Sequence, residues 1–566
     1  MHCTKCGAEL APESKFCVAC GTPVEQPAEA VPAAPVVSEV PTQPEAAPVV
    51  SEAAPVATAA PEKEGFKIDV NEVKDQLIAT VKPLWDKVKP FLTNKKVLLG
   101  IGVVVLLLVV ASVISSIAAG NNGYIQLKQT TMPTVVDGEI RIVVGKKVLK
   151  DTVTAEGLDD YATSLDGKVM AFTTEEDELY VVNGKKLKKV AEDVYDFEIS
   201  VSGKGIAYVV KDEDEGDRTL YLYSVGNGKS TTISDEMAGL DYAIAPDGKS
   251  VAYFVEDEEE DELMFSKGKD PVKITSAECE LYGISNNGKY IYVSRENDEG
   301  EASLYSYNTK GESTKLGGVS GTAIRFNDDH TQVMFYNEGK TYVSTKGKEA
   351  EKASSDRLNL IVAPNASTFS DDTSYTYPVS NLYDHVYTVS GEEGYSVWLI
   401  KKNADKNVKL VSKVSDVQLD TSAEYLYYIY DGEELRFIKI SDGEKATERF
   451  TKLAEDVDGY VLTSDRKYVY YGSDGSVYSV NGKKGGKSTI VCNDDVEGIA
   501  LNGKDVFYYI LDGDLYATKN GKKGSKVLSD ISGLSGTETG VVYASNDDAI
   551  YATDGSKKPS KIMDRE

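Results

Sequence analysis

Pro246-Asp247-Gly248-Lys249-Ser250-Val251-Ala252-Tyr253 decides the reading of most of the chain. Asp-Gly supplies the positive-φ corner of a tight turn, and the Ser-Val-Ala-Tyr that follows opens a strand ending in an aromatic residue. Related phrases begin at Asp166-Gly167, Gly203, Asn287-Gly288, Asp328-Asp329, Ser464-Asp465, Asn502-Gly503 and Asn546-Asp547. Each is followed by a strand, an acidic loop, a second strand that usually contains Tyr, and a Gly-Lys turn. Neighbouring copies are mostly about 36 to 45 residues apart, close to the four-stranded propeller blade of about 40 to 45 residues. Residues 124–566 are therefore expected to hold about ten blades, and because single propellers usually have about four to eight, this count implies two propellers, one unusually large ring, or irregular blades counted as extra ones. The copy from Arg357 to Ser412 is the most irregular, with an insertion rich in Ser, Thr and Asp around Ala366 to Tyr377.

The phrase resembles the TolB-like and WD40-like propellers of bacterial envelope proteins, and the resemblance covers most of residues 124–566. It implies an architecture and leaves the ligand open.

Upstream of the repeats the composition changes sharply. Cys3-Thr4-Lys5-Cys6-Gly7 and Cys17-Val18-Ala19-Cys20-Gly21 are matching knuckles. Each sets two thiolates on one tight turn, so that Cys3, Cys6, Cys17 and Cys20 can close a tetrahedron around one structural zinc ion. So short a module has almost no core, and metal binding must supply most of its folding free energy. The pattern resembles the short bacterial zinc ribbons, with Phe16 at the aromatic position before the third ligand. Residues 1–22 are thus expected as a zinc ribbon.

Residues 23–64 are mostly Pro, Ala, Val and Glu, with Ala34-Pro35-Val36-Val37-Ser38-Glu39 repeated at Ala47-Pro48-Val49-Val50-Ser51-Glu52. This composition buries too little apolar surface to offset ordering entropy and reads as a disordered linker. Within 65–96 the apolar residues Val70, Val73, Leu77, Val81, Leu84, Val88 and Phe91 recur at helical spacing, which suits an amphipathic helix lying on lipid. Residues 97–119 carry no charge and at the helical rise span about 35 Å, enough to cross a hydrocarbon core of about 30 Å. Lys82, Lys87, Lys89, Lys95 and Lys96 precede this span. The positive-inside rule then places the N-terminus in the cytoplasm and the C-terminal domain outside the cell membrane, with the lipid bilayer itself a partner. The fold class expected is therefore multi-domain: a small N-terminal zinc ribbon, one transmembrane helix and a large all-β, propeller-type ectodomain of four-stranded blades.

With 91 acidic against 62 basic residues the formal net charge is -29, which repels nucleic-acid phosphates and excludes nucleic acid as a partner. The acidic residues gather in recognisable places. Glu175 to Glu178, Asp212 to Asp217, Glu256 to Glu262 and Glu296 to Glu301 fall between the second and third strands of a repeat. Glu192-Asp193, Asp235-Glu236, Glu455-Asp456 and Asp494-Asp495 fall between repeats. Lysines mark the opposite turns, as in Asn183-Gly184-Lys185-Lys186 and Asn520-Gly521-Lys522-Lys523. An acidic face suited to a basic polypeptide, a cation or a cell-envelope component is expected. Calcium is conceivable there, although Asp212-Glu213-Asp214-Glu215-Gly216-Asp217 lacks the EF-hand ligand pattern. His330 and His385 have no visible catalytic partner, and no Gly-x-Ser-x-Gly elbow, His-Glu-x-x-His helix or phosphate loop occurs. The functional expectation is a membrane-tethered, non-enzymatic binding or scaffold protein. The alternative is a carboxylate-dependent cell-envelope hydrolase or lyase. Cys279 and Cys492, isolated beside strand residues, are expected as thiols.

Overall fold

The computed structural model describes residues 123–565 apart from 156, 212–217, 258–259, 269, 322, 365 and 367–375. The expected zinc ribbon, linker, amphipathic helix and membrane span lie outside the described residues.

The described chain folds into ten antiparallel sheets, each made only of consecutive strands. In chain order they are sheet 1 (131–154), sheet 2 (158–191), sheet 3 (194–234), sheet 4 (237–275), sheet 5 (280–318), sheet 6 (325–354), sheet 7 (359–454), sheet 8 (459–492), sheet 9 (498–528) and sheet 10 (533–564). Eight have four strands, sheet 1 has three and sheet 7 has seven. Sheet 7 is two repeats joined by one twelve-residue strand, Val408–Leu419, which pairs with Gly394–Ile400 on one side and Tyr425–Tyr430 on the other.

Packing follows from position within a sheet. The first strands of sheets 2, 3, 4 and 5 contact one another in succession, as do those of sheets 9 and 10, so first strands are innermost. Second strands are apolar and enclosed on both faces: every residue of Val169–Thr174 is buried. Fourth strands such as Lys229–Ser234 are mostly exposed. Between sheets the cores are aromatic, with Tyr253, Tyr292, Tyr427, Tyr470 and Phe507 all buried to within 2%. Tyr470 stacks on Phe507 of the next sheet at 4.1 Å between ring centroids.

Two expectations are corrected. Among the described residues no closed propeller is formed. Closing a propeller by strand pairing needs a sheet built from both ends of the repeat array, and here no sheet mixes distant strands. Sheet 1 meets sheet 10 through side chains alone: Val143 packs with Val541, Tyr543 and Ala552, and the Tyr543 hydroxyl donates to the Gly145 carbonyl. The second correction concerns the membrane. Among the described residues no helix is long and apolar enough to cross a bilayer. The helical segments are Asn286–Gly288, Ala404–Lys406 and Ile440–Thr447, and the longest has eight residues where about 20 are needed. The one-transmembrane-helix plan and the cell-membrane localisation built on residues 97–119 are accordingly not carried forward.

Candidate functional site

The inner surface is held by one recurring turn between the first and second strands. In each copy the fourth turn residue has positive φ and donates its N–H to the carbonyl of the first, as in Gly167 to Ser164 (2.8 Å), Gly248 to Ala245 (2.8 Å), Gly288 to Ser285 (2.9 Å) and Arg466 to Thr463 (2.9 Å). The first residue is usually small, polar and buried, and its side chain accepts the N–H that opens the second strand. Ser200 Oγ accepts from Gly205 (3.1 Å), Ser285 Oγ from Tyr290 (2.9 Å), Asn327 Oδ1 from Gln332 (2.8 Å) and Thr463 Oγ1 from Tyr468 (3.0 Å). Successive turns also bond to one another, Ser202 N–H to Pro246 O (2.9 Å) and Asp247 N–H to Asn286 Oδ1 (2.8 Å) among them. This ladder fixes the spacing of the inner strands.

The inner strands of sheets 2, 3 and 4 carry acidic residues beside exposed Tyr161, Tyr195 and Leu240. Asp160 and Asp241 are exposed, and Asp196 and Glu198 are partly so. Glu198 Oε2 accepts the Ile244 N–H of the next sheet at 2.9 Å. No Lys or Arg lies within ion-pairing distance of these four carboxylates among the described residues. Burial among the inner strands pushes Glu198 up to about 8, against the lowering effect of the Ile244 amide and with a further push from Asp196. Burial likewise raises Asp196, and Asp160 adds to it. Tyr242 stands beside both, its hydroxyl held protonated by burial and by the charge of Asp196. A neutral carboxylic acid, ionisable carboxylates and a phenol therefore share one stretch of wall.

Around the corner, the turns of sheets 2 to 6 surround a cavity of 380 Å³ lined by Asp166, Asp247, Asn286, Asp328, Asp329 and Lys204, among others. Burial, with the neighbouring Asp329, pushes Asp328 up to about 6. Asp166 is held below the usual carboxylate range, where hydrogen bonds and charge from Lys168 outweigh its burial.

The residues singled out in the sequence fall elsewhere. Cys3, Cys6, Cys17 and Cys20 lie outside the described residues, as does the loop Asp212 to Asp217. Several of the other acidic loops are already paired: Lys189 bridges Glu178 and Glu192, and Lys452 bridges Glu434 and Glu455. Among the described residues no group of three or more His, Cys, Asp or Glu is placed to hold a metal ion. His330 is locked, with Nδ1 at 3.0 Å from Ile284 O, Nε2 at 2.8 Å from Thr376 Oγ1 and its ring stacked on Phe326. Burial lowers His330 and His385 to about 4. Cys279 and Cys492 are free thiols. Sequence reasoning missed the inner-strand carboxylates. Their signal was an acid at alternate positions of a short strand, Asp196-Phe197-Glu198, just before a Ser-x-x-Gly turn.

Residues 2–24 match the zinc-ribbon domain family. The chain thus carries a zinc-ribbon segment at its N-terminus, and Cys3, Cys6, Cys17 and Cys20 fall within it. No curated protein matches the chain. Among solved structures, the β domain is similar to a putative TolB from Agrobacterium tumefaciens at 17% identity, covering 37% of this chain and 83% of that one with a TM-score of 0.26. It is similar to an oligogalacturonate lyase from Vibrio parahaemolyticus at 13% identity, covering 50% and 90% with a TM-score of 0.32. A eukaryotic initiation factor matches at 10% identity, covering 77% and 96% with a TM-score of 0.33. Superpositions this partial carry no functional argument.

Proposed function

We propose that the β domain is a non-enzymatic binding or scaffold module whose acidic inner wall takes a basic polypeptide segment, and that the N-terminal ribbon holds one structural zinc ion on Cys3, Cys6, Cys17 and Cys20. The observation that carries the binding reading is the run of Asp160, Asp196, Glu198 and Asp241 on adjacent inner strands, with no ion-pairing cation among the described residues. Ionic contact at such a wall favours lysine- or arginine-rich chains and rejects nucleic acid. The matched family and the thiolate spacing support the zinc assignment. A fluorescein-labelled octalysine peptide titrated into the full-length chain tests the first part by anisotropy. Saturable, salt-sensitive binding that weakens about tenfold in Asp160→Asn/Asp196→Asn/Asp241→Asn is expected, a loss of about 1.4 kcal/mol. Equal binding by that variant would sink the assignment. Native mass spectrometry showing one zinc per chain, lost in Cys6→Ser, tests the second.

One observation favours a second reading, a carboxylate-dependent hydrolase or lyase. Glu198 keeps its proton near neutral pH beside Asp196 and Tyr242, an arrangement suited to general acid chemistry. Turnover on a glycan and peptide panel that vanishes in Glu198→Gln would establish that reading over the first.

A further inference from the structure

Sheet 1 lacks a strand, and its turns show which one. Its Asp137-Gly138 hairpin corresponds to Asp474-Gly475 and Asp512-Gly513, which join second to third strands in sheets 8 and 9. Its next turn receives the Tyr543 hydroxyl at Gly145 O, as the turns between third and fourth strands receive Tyr427 at Gly482 O and Tyr508 at Ser556 O. Thr131–Val136 is therefore a second strand with no inner neighbour among the described residues, a position filled in all eight four-stranded sheets. The chain ahead of it turns away: Tyr124 bridges to Val379 and Gln126 to Ala366. Beside the open edge lies a cavity of 340 Å³ lined by Met132, Thr134 and Val143 on one side and by Leu534, Ile550 and Arg565 on the other. Arg565 is exposed and has no carboxylate within ion-pairing distance among the described residues, in a chain with 29 excess negative charges.

We propose that the open inner edge of Thr131–Val136 accepts, by β-strand addition, an extended segment of a partner protein that has alternating apolar side chains and one carboxylate to meet Arg565. Backbone N–H and C=O groups left unpaired along an edge strand are a template for such a strand, with Pro133 offering its carbonyl but no N–H. The groove supplies apolar contact for alternate side chains, and Arg565 supplies polarity and register. The slot adjoins Leu158–Thr163, the inner strand that carries Asp160, and takes a ligand of opposite charge from that of the acidic wall.

The test uses the full-length chain and a capped, fluorescein-labelled Thr-Val-Thr-Val-Glu-Val peptide, followed by anisotropy and amide hydrogen exchange. Saturable binding, protection of the amides of 131–136 other than Pro133, which has none, binding about tenfold weaker when Lys replaces the peptide's Glu, and reversal of that preference in Arg565→Glu are expected. Octalysine should not displace the peptide, which separates this site from the inner wall. The proposal is overturned by absence of saturable binding, by binding without protection of 131–136, by an Arg565→Glu variant of unchanged circular dichroism and unchanged preference, or by burial of this edge in a dimer of the chain.

Discussion

Gly248 of sheet 4 and Arg466 of sheet 8 occupy the same place in the same turn, with φ of 70° and 59°. A Cβ on Gly248 would stand 2.8 Å from both Gly205 Cα and Ser200 Oγ, so the neighbouring turn excludes every side chain. At Arg466 there is room. Its guanidinium lies over the Tyr425 ring, 3.2 Å from the centroid, and its Nε–H donates to the Tyr427 hydroxyl at 2.7 Å. The turn dictates the backbone, and the approach of the next turn dictates the residue. The two halves differ in the same way on a larger scale. Around sheets 7 and 8 cations cover aromatic faces, with Arg436 3.9 Å from the Tyr430 centroid and 4.1 Å from that of Phe450. On the inner strands of sheets 2 to 4 a cation covers one ring, Lys211 over Tyr195, but Asp160, Asp196, Glu198 and Asp241 have no ion-pairing partner among the described residues.

The sharpest way to break this comparison is to exchange the residues. Gly248→Arg should destabilise the chain by more than about 4 kcal/mol, combining overpacking with backbone strain, and should appear as loss of the cooperative urea transition. Arg466→Ala, which leaves the φ requirement but removes the ring and hydroxyl contacts, should cost about 2 kcal/mol in the same titration. Tyr543→Phe removes one hydrogen bond at the junction of sheets 10 and 1 and should cost about 1 kcal/mol. An unchanged midpoint there would mean that the apolar contacts and the Lys146–Asp554 ion pair hold the junction without it. The smallest effect at acid pH belongs to Glu198. The folded chain keeps this proton up to about 8, whereas an ordinary glutamate loses it near 4.5, so its stabilising contribution is present below 4.5 and is lost as pH rises toward 8. Glu198→Gln should flatten stability against pH across that window and leave it unaltered below. The buried histidines act in the opposite sense: both titrate near 4 rather than 6.5, so protonation should destabilise the fold as pH falls from about 6.5 to about 4.

The turns were legible because Asp-Gly and Asn-Gly announce positive φ, and the strands because Val, Ile and Tyr cluster between them. The polar residue three places before each corner was equally present in the sequence, at Ser164, Ser285, Asn327 and Thr463, but its meaning appears only once its side chain is seen capping the next strand. Closure was not legible. Periodicity reports repeats and carries no information about whether their ends pair, and sheet 1 does not share a strand with sheet 10. The acidic loops drew attention because they are long runs, yet lysines on adjacent strands neutralise several of them. The inner carboxylates went unnoticed because two acids separated by Phe197 resemble an ordinary half-exposed strand.

Val408–Leu419 has a mechanical meaning as well. Elsewhere each repeat is bounded by a loop and is free to open as a unit of four strands, but this strand is a splice through which two repeats share one ladder. Fraying on either side must peel the same twelve residues, so the seven strands should exchange their amide protons as one block and resist pulling longer than the sheets around them.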